Sequence, residues 1–365
     1  MGGTIFYIWL LVVGIQLAYW ILIFARSAFY DFSKAEKSCT LPGASVVVCY
    51  KNEKNTIGNT IRDILLQQYP EFEIIAVNDF STDGSDEIVK NMDDPKLVSI
   101  TASADIPGKK LALSEGIKHA RFDHILVTDA DCKPASDHWI QRMAATLINQ
   151  KASVVAGFSP MEPANTFIGR FSAFETLMTA LQYMSYTLAG MPYMATGRNM
   201  MYTKSFFYKY SDDMYFSTPA GDDDLLIQNA VVHEKTSICF HQDAWVYTFP
   251  KRDAASFLKQ KLRHISVAGR YRLLHQILLG VFAFSLTAGY AGAIIMCLVG
   301  WADWNYILFI LTIKWIIQTM IHFRFYRMTE SSFYAFTYPF WEICMAAYYI
   351  TLGVFSLFRR PVSWK

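Results

Sequence analysis

The stretch Ile125-Leu126-Val127-Thr128-Asp129-Ala130-Asp131 restricts this chain's fold more than any other. β-prone apolar residues end abruptly in two carboxylates one residue apart. An unbroken apolar run reads as a strand covered on both faces, as parallel strands in α/β proteins are. No core explains two acids at its end. Side by side they repel unless a cation lies between them, and a hard divalent ion with oxygen ligands suits them. In open α/β sheets ligands gather at the carboxyl ends of strands.

The surrounding sequence supplies the rest of such a sheet. Ala44–Tyr50, Phe72–Val77, Lys96–Ile100 and His124–Thr128 read as strands, with helices near Ile57–Gln68 and Leu111–Ala120 between them. Alternating β and α with apolar strands argues for a parallel, nucleotide-binding-like sheet, its polar loops on one edge. The loop Leu41-Pro42-Gly43 is a plausible entry to this domain.

The ends of the chain differ in kind. Ile5–Phe24 is apolar except for Gln16, long enough to cross a hydrocarbon core of roughly 30 Å. Without a preceding basic residue or a small-residue cleavage site it reads as an uncleaved anchor. Arg26, Lys34 and Lys37 follow it and place the next domain in the cytosol by the positive-inside rule. Near the C-terminus, about Leu274–Gly300, Trp304–Phe323 and Phe333–Phe358 are further candidate spans. Trp301–Trp304 forms a tight joint between the first two. Arg359, Arg360 and Lys365 after the last span conflict with the charge rule, and Pro339 inside it leaves a re-entrant segment open. The expected division is an anchor and linker over 1–37, a cytosolic domain over 38–270 and a membrane domain over 271–365. Localised apolar ends account for 53% hydrophobic residues and a mean hydropathy of +0.20. A net charge of +2 gives no reason to expect a nucleic-acid partner. Six scattered cysteines without a CxxC pair favour a reducing compartment.

The polar loops carry unusual residues in a fixed order. They are Lys51-Asn52-Glu53, Asn78-Asp79-Phe80-Ser81-Thr82-Asp83-Gly84, Gly108-Lys109-Lys110, Asp129-Ala130-Asp131, Gly197-Arg198-Asn199, Gly221-Asp222-Asp223-Asp224-Leu225 and Gln260-Lys261-Leu262-Arg263-His264. No P-loop, GxGxxG, zinc spacing or GxSxG elbow occurs.

In this order the residues resemble the family-2 inverting glycosyltransferases, which include membrane-anchored processive synthases and ceramide glucosyltransferases. The resemblance covers about Ser45 to His264. It implies a GT-A domain, a Rossmann-like mixed α/β sheet that binds a nucleotide-diphospho-sugar, flanked by transmembrane helices. It implies a UDP-sugar donor, a lipid-linked or polysaccharide acceptor, membrane lipids as surroundings, and Mg2+ or Mn2+. By this resemblance Asp79 reads the uracil edge, Glu53 lies in the first donor loop, and Lys109 lies near the nucleotide. Asp131 ligates the metal, with Asp129 toward ribose or sugar. Asp223, or else Asp222, is the base that removes the acceptor hydroxyl's proton. Gln260, Arg263 and His264 match a Gln-x-x-Arg-Trp motif over the donor, with histidine in place of tryptophan. Arg198 and Asn199 fall on the acceptor side. The bland alternatives are an Asx turn at Asp79, a surface lysine at 109, and helix capping by the triple aspartate, although one aspartate suffices for a cap. The basic segment through Lys251, Arg252, Lys259, Lys261 and Arg263 also suits anionic headgroups. Phe167–Met194, rich in Phe, Met and Tyr, fits either an interfacial helix or a plain core helix.

The expected function is therefore single sugar transfer by a plasma- or inner-membrane enzyme with a cytosolic catalytic domain. Processive β-glycan synthesis and polyprenyl-phosphate sugar synthesis are the enzymatic alternatives. A silent membrane scaffold is the non-enzymatic one.

Overall fold

The computed structural model describes residues 2–32, 40–102, 108–211, 216, 220–251, 253–329 and 331–358. Lys34, Lys37, Cys39, Arg252, Arg359, Arg360 and Lys365 lie outside the described residues. Packing divides the chain into two compact units that interleave along the sequence. One comprises 1–30, 165–190 and 251–361, the other 31–164, 191–250 and 362–365.

The second unit holds the sheet. Its strands are β1 (Ala44–Tyr50), β2 (Phe72–Asn78), β3 (Leu97–Thr101), β4 (His124–Asp129), β5 (Lys133–Pro134), β6 (Val154–Gly157), β7 (Met200–Thr203), β8 (Thr236–Cys239) and β9 (Val246–Tyr247). Seven of them form one sheet in the order β3-β2-β1-β4-β7-β6-β8, and β5 pairs with β9 apart from it. β3, β2, β1 and β4 run parallel, as their apolar runs predict. β7 is antiparallel to both β4 and β6, whereas β8 is parallel to β6. The sheet is mixed, as the family resemblance implies and as the four-strand pattern by itself does not.

Every residue of β1 is buried, consistent with its central place. The helix Lys109–His119 packs on β1 and β2 through Gly116. A Cβ there would lie 2.6 Å from Val47 and 2.8 Å from Val77, so only glycine permits this approach. The core beneath includes Val46, Val48, Ile61, Ile74, Leu126, Trp139 and Met143.

The register fixes the edge that matters. Cys49 pairs with Asp129 across β1 and β4, and Tyr50 pairs with Asn78 across β1 and β2. Lys51, Asp79 and Ala130 therefore follow at one edge, where the parallel strands all end.

The first unit is helical. Gly2–Phe29, Leu273–Val299 and Trp304–Met328 are each long and apolar enough to cross a membrane, and they anchor the chain there. The fourth expected segment is broken at Thr337 into Ser332–Phe336 and Tyr338–Phe358. Pro339 falls in the first turn of the second piece, where a missing N–H costs no helix bond, so it opens a helix rather than kinking one. The first helix is π-wound over Tyr19–Phe24. Trp9 Nε1 donates to Gly289 O at 2.8 Å, and Gln16 Nε2 donates to Phe282 O at 2.7 Å. The one polar interruption noted in that segment thus has a partner. Phe167–Leu188 is buried over most of its circumference, the pattern of a core helix.

Candidate active site

Four loops at the carboxyl edge of the sheet build the site. The loops after β1 and β2 are laced together. Asn52 N–H donates to Ser81 Oγ at 3.1 Å, Thr82 N–H to Asn52 Oδ1 at 2.8 Å, and Glu53 N–H to Ser85 Oγ at 2.8 Å. Asn52 and Phe80 hold left-handed backbones, with φ of 55° and 56°. For a phenylalanine that conformation is uncommon and is maintained only where its surroundings over-determine it. The Glu53 carboxylate accepts from the Thr56 hydroxyl at 3.2 Å, so part of its capacity braces its own loop.

Asp79 is buried at the end of β2. Its Oδ1 accepts the Gly108 N–H at 3.0 Å, and Lys51 Nζ lies 3.5 Å from Oδ2. Asp79 thereby ties the β2 loop to the start of the helix that carries Lys109.

Lys109 is the hub. Its ammonium lies 2.8 Å from Asp129 Oδ1 and 2.7 Å from Asp222 Oδ2. One cation thus joins the Asp-x-Asp loop to the triple-aspartate loop. Burial works against the charge of Lys109, but the two carboxylates prevail and its pKa stands well above the ordinary value.

The two candidate bases occupy different environments. Asp222 is half-buried, and its partial desolvation opposes ionisation, yet Lys109 holds its carboxyl below the usual value. Asp223 is pushed the other way, by burial first and the Asp222 charge second. Its Oδ2 accepts the Gly197 N–H at 2.7 Å and its Oδ1 accepts the Asp224 N–H at 2.9 Å. The capping expected of this cluster is therefore present, at Asp223, where the helix Asp224–Ala230 begins. The same bond brings the Gly197-Arg198-Asn199 loop against Asp223. A Cβ at position 197 would come within 3.0 Å of Asp223 Oδ2.

Arg198 is half-buried, its Nε has no hydrogen-bond partner among the described residues, and its charge reaches the Cys132 thiol. Asn199 is different. It is fully buried, accepts from Trp139 Nε1 at 2.9 Å, and donates to Phe158 O and Ala244 O. Its amide is spent on pinning β6, β7 and the β9 segment together, which leaves nothing to offer an acceptor molecule.

The ligand-capable atoms of Asp129, Asp131 and Cys132 lie within 4.8 Å of one another. Burial, followed by the two neighbouring carboxylates, pushes the Cys132 thiol well above its ordinary pKa. A thiol is a soft donor and a hard divalent cation prefers oxygen, so the donors that fit such a metal are the two aspartates. Their hard oxygens suit Mg2+ or Mn2+, and the Lys109 ammonium on Asp129 shows that the loop already holds positive charge.

Gln260, Arg263 and His264 lie on the helix Ala254–Ile265 in the other unit. Gln260 Oε1 is buried without a partner among the described residues, Arg263 is half-buried and His264 is exposed. Neighbouring Lys261 pairs with the buried Glu175, which also receives the Tyr348 hydroxyl at 3.5 Å.

Residues 45–211 match the family described as Glycosyl transferase family 2. Over these residues the domain is similar to glycosyl transferase family 2. A poly-beta-1,6-N-acetyl-D-glucosamine synthase of Staphylococcus epidermidis is 32% identical to this chain over 133 residues, 36% of this chain and 31% of the relative. The probable glycosyltransferase YdaM of Bacillus subtilis is 29% identical over 192 residues, 48% of this chain and 46% of the relative. The chain thus spans less than half the length of these curated relatives. In fold it is similar to the mannosyltransferase PcManGT from Pyrobaculum calidifontis, solved with GDP-Man and Mn2+. That likeness has a TM-score of 0.59 at 16% identity and covers 95% of this chain and 98% of the other.

Sequence reasoning placed Lys109 near the nucleotide but missed that it bridges two acidic loops. It also missed Cys132 beside the acids and the strands β6–β8. The Gly-Lys opening of a helix after a strand was the available signal for Lys109; β6 to β8 are four residues each and offered no periodicity.

Proposed function

We propose that this membrane-anchored transferase moves a sugar from a UDP-sugar to a lipid-linked or glycan acceptor with inversion at the anomeric carbon, on the cytosolic side of the membrane. The observation that carries the reading is the Lys109 bridge. It brings the acids suited to metal and diphosphate and the acids suited to proton abstraction within one lysine's reach. A catalytically silent scaffold would have no use for that arrangement.

Each residue then has a task. Asp79 accepts from the imide N–H of the base, in place of its present bond from Gly108. Asp131 and Asp129 would hold Mg2+ or Mn2+, which lends Lewis-acid stabilisation to the departing diphosphate. Lys109 and Arg198 add positive charge for the same oxygens. Asp223 takes the proton of the acceptor hydroxyl as that oxygen bonds to the anomeric carbon and the carbon–diphosphate bond breaks. Its raised pKa makes it a better proton acceptor than Asp222, which Lys109 keeps ionised. The Gly197 and Asp224 N–H groups aim it. Gln260, Arg263 and His264 keep the role that the family motif implies, closing over the donor.

Similarity to synthases of a β-linked polysaccharide favours a second reading, in which the acceptor is the growing glycan itself. Purified full chain incubated with UDP- and GDP-sugars and a membrane lipid extract separates the two. A single sugar on a lipid, detected by mass spectrometry, supports the first reading, and a ladder of products supports the second. Transfer from GDP-sugars alone would overturn the donor assignment.

A further inference from the structure

The helical unit contains a cleft of about 590 Å³ that no part of the transfer mechanism uses. Phe167, Phe333, Phe336, Phe340 and Trp341 form its walls, and Arg170 supplies its charge. The aromatic rings are ordered among themselves. Phe167 stacks on Trp341 at 5.7 Å, and Phe340 meets Trp341 edge-on at 5.0 Å. Phe336, the last residue of the short helix Ser332–Phe336, is nonetheless 73% exposed.

Polar groups at the helix break satisfy one another. Thr337 Oγ1 donates to Phe333 O at 2.8 Å and accepts from Trp341 Nε1 at 2.9 Å. Arg170 has no such arrangement. Its guanidinium lies 6.0 Å from the Phe333 ring centre, and among the described residues no carboxylate pairs with it. An exposed arginine on an aromatic wall is a forked donor set without an acceptor, suited to phosphate oxygens.

The cleft continues into an apolar stripe. Phe340, Ile343, Ala347, Ile350 and Val354 are exposed on Tyr338–Phe358 at spacings of three and four, which places them on one face of that helix. A charge at one end of a long apolar track matches the shape of an amphiphile with an anionic head.

We propose that this cleft binds a lipid bearing a phosphate headgroup, with Arg170 on the phosphate and the Phe340–Val354 stripe along the hydrocarbon chain. As a binding site the cleft stands by itself. Its service as the acceptor site rests on the transferase reading above.

The test uses the full chain purified in neutral detergent and native mass spectrometry with phosphatidic acid, diacylglycerol and inorganic phosphate as probes. Wild type is expected to retain phosphatidic acid in preference to diacylglycerol. Arg170→Ala is expected to weaken that retention about tenfold, the loss of one charge-assisted contact, and Arg170→Lys to restore part of it. Phe336→Ser with Phe340→Ser is expected to lower retention of both lipids. Equal retention of phosphatidic acid by wild type and Arg170→Ala would overturn the proposal, as would its displacement by inorganic phosphate. UDP binding measured on the same preparations keeps the two readings apart. Lipid retention without UDP binding removes the transferase reading and leaves the cleft, and the converse removes the cleft alone.

Discussion

Two lysines of this chain lie between acidic and polar partners, and they do opposite things. Lys314 is buried, 2.6 Å from Glu342. The Glu342 carboxylate also accepts from Gln318 Nε2 at 2.8 Å, Tyr338 Oη at 2.8 Å, Tyr290 Oη at 2.5 Å and Trp315 Nε1 at 3.2 Å. That network is closed. Lys109 is held as tightly by Asp129 and Asp222, but Asp129 is about a third exposed and Asp131 beside it is half-buried. That site is open. A carboxylate supplied with donors from its own fold serves packing, whereas one held by a single displaceable cation can exchange it for a metal and a diphosphate.

If this contrast holds, variants in the two places fail differently. The largest effect is expected at the open site. Asp131→Ala should reduce sugar transfer by on the order of 10²–10³-fold or more, and metal-dependent UDP binding should fall with it. Circular dichroism should be unchanged. An active Asp131→Ala would break the metal assignment. At the closed site the loss should be of stability. Glu342→Ala leaves Lys314 buried and unpaired, which costs about 3–5 kcal/mol. Thermal unfolding in detergent should show it, while the surviving folded fraction keeps its kcat. Lys314→Met with Glu342→Leu, which removes both charges, should recover part of the stability but not all of it, because Gln318, Tyr338 and Tyr290 still lose their acceptor.

Titration sharpens the comparison further. As the proposed base Asp223 would act only when deprotonated, and its pKa is raised, so kcat/KM should fall as pH drops through that raised value, above the ordinary aspartate range. Asp222, held low by Lys109, should contribute nothing to this limb in wild type. In Lys109→Ala its carboxyl should rise, and the acidic limb should change shape or move. An acidic limb identical in the two proteins would separate Lys109 from the base. The smallest expected effect is that of Gly197→Ala. Its new Cβ would crowd Asp223 Oδ2, and a displaced base should lower kcat by about tenfold with little change in KM for the donor.

The sequence by itself determined the edge of the sheet. Three apolar runs with acids or amides at or just beyond their ends, Ala44–Tyr50, Phe72–Val77 and His124–Thr128, point to parallel strands whose carboxyl termini share an edge, because they read as buried on both faces. Ala44–Tyr50 agrees to the residue with the observed strand. The anchoring helices were equally legible, since twenty apolar residues in a row have few other uses. Tertiary structure alone decided the rest. It inserted β7 antiparallel between β4 and β6 through contacts that four-residue strands cannot announce. It turned Asn199 from a prospective acceptor ligand into a pin, because Trp139, Phe158 and Ala244 approach it from distant parts of the chain. It paired Lys314 with Glu342 across two helices. It also set one lysine between Asp129 and Asp222, 93 positions apart, and gave Asp222 and Asp223 opposite titrations. Periodicity reports which side of an element is buried; which partners meet there is a property of the packed chain.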